Sequence, residues 1–133
     1  MVMGFVIEIE YQNMELVKFG TREKGDSMRF RIDIDVFSIS VFFYFGDEEK
    51  KRFAKNTGGK EGDVNGDGVT LNNAVWIKDD NAMDAIIHES HHAKKFIVEH
   101  KGIHDEEVEA YIITYLVSEA VRRIRKIRGN KKL

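Results

Sequence analysis

Cysteine is absent from this chain, which excludes a disulfide framework, a thiolate zinc knuckle and a cysteine nucleophile. The lack fits a reducing, intracellular (cytoplasmic) setting. No secretory leader is expected from the first residues, which carry no basic n-region and meet acids at Glu8 and Glu10. No apolar run reaches the roughly 20 residues that a membrane-spanning helix needs, so no membrane partner is expected. Net charge is small, −2 over 133 residues, and gives no overall attraction to nucleic acid. The charge is uneven, however. Residues 121–133 hold Arg122, Arg123, Arg125, Lys126, Arg128, Lys131 and Lys132 and no acid, which leaves −9 on the rest. Cations there complement the dipole of a helix C-terminus and solvate the chain end, a simpler account than nucleic-acid binding.

With 42% apolar and 33% charged residues, the composition is that of a folded globular chain, and 1–133 is read as one domain with one ordinary core. Phe5, Ile7, Ile9 and Tyr11 alternate with Val6, Glu8 and Glu10, as in a half-buried strand. Met28, Phe30, Ile32, Ile34 and Val36 alternate with Arg29, Arg31, Asp33 and Asp35. Residues 41–45 are nearly all apolar, as in a strand covered on both faces. The broken pattern at Phe37-Ser38-Ile39-Ser40 leaves open whether 28–45 is one bent strand or two. Gly46-Asp47 ends that segment, with Asp47 as N-cap of a short helix to about Lys55. Residues 56–68 are glycine-rich and read as a loop, and 69–77 as a further strand. Helices are expected over about 80–100, stopping near Gly102, and about 105–128, stopping near Gly129. Strands followed by helices imply an α+β fold, a small, mostly antiparallel sheet packed against helices.

The pentad His88-Glu89-Ser90-His91-His92 falls on the first of these helices. Residues four apart lie on one helical face. His88 and His92 therefore each present a ring nitrogen to one metal ion, at about 2.0–2.1 Å for zinc. Glu89, about 100° round the helix, is placed to act as general base on a water on the open side of the ion, which is why His-Glu-x-x-His recurs in zinc peptidases. His91 shares its side with Lys94 and Lys95, which are expected to face water, while His92 lies nearer Ala85, Glu89 and Phe96. His91 is therefore read as facing solvent or as backing the ligands without touching the ion.

Catalytic zinc generally takes a third protein ligand. The metzincin pattern is excluded, because Lys95 and Val98 stand where it needs Gly and His. His100, His104, Asp105, Glu106, Glu107 and Glu109 are the candidates. Helical projection puts Glu107 on a narrow polar stripe with Thr114 and Ser118, which suits a wet cleft. It puts Glu109 among Ile113, Leu116 and Ala120, where a carboxylate is costly unless paired or metal-bound. Projection alone does not choose.

The segments Val41-Phe42-Phe43-Tyr44-Phe45-Gly46, His88 to His92 and Glu107-Val108-Glu109-Ala110-Tyr111 together resemble gluzincin-type zincins. More closely, they are similar to small His-Glu-x-x-His proteins encoded by tailed phages and prophages, over about residues 28–120. The resemblance implies a zincin-like fold and a zinc metallopeptidase-like hydrolase acting on a peptide or protein. It implies Glu107 as third ligand beside His88 and His92, with Glu89 catalytic. Asn73-Ala74-Val75-Trp76 is similar to the edge strand of thermolysin-like peptidases, which implies that Asn73 and Ala74 bind extended substrate through backbone groups. The competing expectation is a zincin-like domain without activity, in which zinc ties two helices together for binding or assembly.

Two weaker features complete the reading. Asp63-Val64-Asn65-Gly66-Asp67-Gly68 matches half of a calcium loop, but Ala74 stands where the bidentate Glu is required. Tyr111 and Tyr115 lie near Glu107 and are read as packed tyrosines before oxyanion donors.

Overall fold

Met28, Phe30, Ile32 and Ile34 point to one side of a single extended strand, because successive side chains alternate across the pleat, and all four are buried in the main core. The computed structural model describes residues 22–23 and 27–129. The strand expected at residues 5–11, and Lys131 and Lys132 of the basic end, lie outside them.

Among the described residues, five strands form one sheet in the order β1-β2-β3-β5-β4. They are β1 (Arg22–Glu23), β2 (Ser27–Ile34), β3 (Ile39–Phe45), β4 (Gly68–Leu71) and β5 (Ala74–Ile77). Only β3 and β5 run parallel, and the other pairings are antiparallel. The fold is α+β, with a mostly antiparallel sheet. Residues 28–45 make two strands: a 3-10 turn at Asp35–Phe37 and Ser38 at φ 52 reverse the chain, and Ile34 then pairs with Ile39. The expected strand at 69–77 is likewise a hairpin. Asn72 takes φ 59, a left-handed conformation that Asn tolerates better than most residues.

Among the described residues three helices pack on this sheet: α1 (Lys50–Thr57), α2 (Met83–Lys101) and α3 (Glu106–Ile127). Asp47 does not cap α1. It opens a 3-10 turn (Asp47–Glu49) ahead of the helix, and no side-chain cap bond forms there. Asp105 does cap α3, accepting from the backbone N–H groups of Glu107 and Val108. Gly102, at φ 68, closes α2 with its N–H on the Val98 carbonyl, a left-handed cap that glycine adopts without steric cost.

The helices lie on both sides of the sheet. α2 and α3 bury one face with Phe30, Phe43, Phe45, Val75 and Ile77 beneath them. α1 and the following loop bury the other through Phe53, Ala54 and Val64 against Phe42, Tyr44 and Trp76. β3 is therefore covered twice, as its apolar run implies. The two helices of the first layer run antiparallel: Lys94 of α2 meets Glu109 of α3, and Arg128 at the end of α3 meets Asp80 just before α2. No helix among the described residues is long and apolar enough to cross a membrane.

Candidate metal centre

α2 buries a stripe that includes Ala85, Ile86, Glu89, Ala93 and Ile97, and its flank beside that stripe lies against β4. On that flank His88 and His92 converge, with Nε2 atoms 3.2 Å apart and rings nearly perpendicular at 83°. Two nitrogens about 2.0–2.1 Å from one tetrahedral ion would sit about 3.4 Å apart, so this spacing, which is also that of a hydrogen bond between the rings, suits two of the ligands of a zinc ion. Both rings are exposed.

Glu89, one residue on, is 6% exposed. Its Oε1 accepts a hydrogen bond from the Thr70 hydroxyl at 2.5 Å. A Cβ placed on Gly68 would lie 2.7 Å from its Cγ and 2.9 Å from its Oε2. Glu89 therefore occupies space that exists because residue 68 is glycine. His88, Glu89 and His92 line one open groove of about 420 Å3 with Gly68, Val69, Thr70, Asn72 and Phe96.

Glu107 is not brought to this pair. It is exposed, on the outer side of α3, whereas Glu109 on the inner side accepts from Lys94 at 3.1 Å. The three-ligand set expected from the resemblance is thus not assembled, because the polar stripe of α3 faces away from α2. Asp105 has its carboxylate on the α3 cap, and His104 and Glu106 are exposed. Among the described residues no group of three histidine, aspartate or glutamate side chains converges as a metal site.

Asn73 and Ala74 also need correction. β5 lies between β3 and β4, so its backbone groups already serve two neighbours. Asn73 is buried and donates to the Ser40 carbonyl. Among the described residues, the edge strand beside the pentad is β4. The lysine argument for His91 holds only in part: Lys95 is exposed, but Lys94 is folded between the helices against Glu109. His91 itself is exposed, its ring 5.9 Å from that of His92. Partial burial, then the charge of Lys94, lowers its pKa below the ordinary histidine value. Tyr115 bonds the Asp33 carbonyl and Tyr111 stacks on it, so neither tyrosine serves the groove. The Asp63–Gly68 half-loop leads into a strand, not the helix of a calcium-binding hand.

Gly68, Thr70 and Phe96 were missed in the sequence. Each becomes part of the site only because β4 and α2 pack together, and nothing local to residues 68–70 signals a partner 19 residues away. No protein-family model, curated protein or solved structure matches this chain.

Proposed function

We propose that this chain is a metal-dependent hydrolase, with zinc as its ion and a peptide as its substrate. The observation that carries the reading is the 3.2 Å Nε2–Nε2 approach of His88 and His92 in the groove that also holds the buried Glu89 carboxylate. A pair of histidines alone is common, but a pair with a carboxylate held beside it is the arrangement that hydrolytic chemistry needs. His88 and His92 would hold the ion. A zinc ion there would supply Lewis acidity, lowering the pKa of a water and polarising a carbonyl. Glu89 would take the proton from the attacking water and return it to the leaving amine. Its burial excludes competing solvent from that carboxylate.

The outer edge of β4 borders the same groove, and an extended peptide could add to it as a further strand. That assigns to β4 the role expected of Asn73 and Ala74. The openness of the groove favours an enzyme over a purely structural zinc, since structural sites close with four protein ligands. The resemblance of the pentad to phage-type zincins supports the same reading.

Metal analysis of the purified protein tests the first half. Close to one zinc per chain is expected, with most of it lost in His88→Ala or His92→Ala and retained in His91→Ala. Glu89→Gln should keep the zinc and the fold yet abolish cleavage of a quenched-fluorescence peptide library. Turnover that survives Glu89→Gln would exclude the hydrolase.

A further inference from the structure

We propose that Thr70 is a positioning residue for Glu89, and that the edge-strand stretch Gly68-Val69-Thr70 is a cradle that decides which carboxylate oxygen does the chemistry. The proposal rests on the hydrolase reading above.

The alternation of β4 builds this cradle. Gly68 and Thr70 share one face of the strand, towards Glu89, while Val69 on the opposite face packs into the second core. The Thr70 hydroxyl has one proton and two acceptors near it. They are Glu89 Oε1 at 2.5 Å and the Glu89 backbone carbonyl at 3.2 Å. The short contact to a charged oxygen is the stronger, so the proton goes to the carboxylate. A buried carboxylate needs such a partner. Among the described residues no Lys, Arg or His forms an ion pair with Glu89. The hydroxyl is what compensates its burial.

With Oε1 held by Thr70, Oε2 keeps its lone pairs for a proton from water. Its position depends on Gly68, where a methyl group would approach within 2.9 Å. Thr70 thus holds the carboxylate from one side, and Gly68 leaves the room it needs on the other. Removing the hydroxyl leaves Glu89 in place but free to rotate, which lowers the fraction of time that Oε2 is aligned. That is a defect in turnover, not in metal or substrate binding.

The test compares Thr70→Val, close in shape but without the hydroxyl, with Thr70→Ser, which retains it. On a peptide-library substrate of the zinc-loaded protein, Thr70→Val should lower kcat about 10–100-fold, the scale on which losing the partner of a metal ligand acts. KM and calorimetric Zn2+ affinity should be unchanged, and Thr70→Ser should restore most of the rate. Proton NMR of the wild-type protein supplies a reading that needs no activity: the Thr70 hydroxyl proton should exchange slowly enough to be seen, shifted downfield by its short bond. An unchanged kcat in Thr70→Val, or a hydroxyl proton exchanging as freely as one in water, overturns the positioning role while leaving the hydrolase intact. If the wild type takes up no zinc, or Glu89→Gln remains active, the hydrolase reading fails and takes the catalytic role of Thr70 with it.

Discussion

Glu89 is the only charged side chain that α2 buries, and the cost of burying it is what gives its surroundings meaning. A carboxylate placed on the core side of a helix must be hydrogen-bonded or neutralised, and here a threonine hydroxyl reaches it from the neighbouring strand. Its two histidine neighbours follow the opposite rule. They are exposed and poised at a distance that one ion could span. Glu107 has neither feature. Its position on the solvent side of α3 predicts that Glu107→Gln leaves zinc affinity unchanged in a calorimetric titration. A tenfold or greater loss would mean that α3 turns or slides when the metal binds, as the resemblance to gluzincins implies.

Between elements, α3 ties down the backbone of β2. The Tyr115 hydroxyl donates to the Asp33 carbonyl at 3.1 Å, and Arg123 donates to the Arg31 carbonyl at 3.0 Å, with its guanidinium over the Phe30 ring. Tyr115→Phe should cost about 0.5–1.5 kcal/mol, the net worth of one hydrogen bond, measured by urea unfolding at neutral pH. Burial, then the charge of Glu119, raises the pKa of Tyr115 above its ordinary value. The hydroxyl's contribution is therefore complete below the unfolded value of about 10 and is lost as pH rises through the higher folded value. The stability gap between wild type and Tyr115→Phe should narrow above about pH 10, and a gap that persists would contradict the assigned bond.

Across the whole molecule, the sheet is a wall between two cores, and β3 belongs to both. Phe43 stacks with Phe30 and Phe45 at centroid distances of 5.5 and 6.1 Å on the α2–α3 side. Tyr44, on the other side, meets Phe53 edge-on. Phe43→Ala should therefore cost about 3–5 kcal/mol, a large share of the roughly 5–15 kcal/mol that holds a domain folded. Val36→Ala, at a side chain 75% exposed, should stay within about 0.5 kcal/mol. Comparable losses from the two in denaturant unfolding would refute the two-core description. The second core also encloses charge. Arg29 and Glu49 are 1% and 2% exposed and bonded at 2.9 Å, which joins β2 to the turn before α1.

What the sequence by itself determined is the position of β2, β3 and the two long helices and the character of their faces. Period-two alternation marks β2, an unbroken apolar run marks β3, and period-four spacing puts His88 and His92 on one side of α2. These follow from the geometry of a single strand or helix, so they are legible without a partner. The tertiary structure decided everything that depends on which elements meet. It made a hairpin of residues 68–77, moved the sheet edge from Asn73 and Ala74 to β4, turned Glu107 outward and placed Glu109 against Lys94. It also set Thr70 and Gly68 around Glu89. A helical projection shows which residues share a side but not which side faces the neighbouring helix. That is fixed by how α2 and α3 bury their apolar stripes on the sheet, a collective outcome of the whole core.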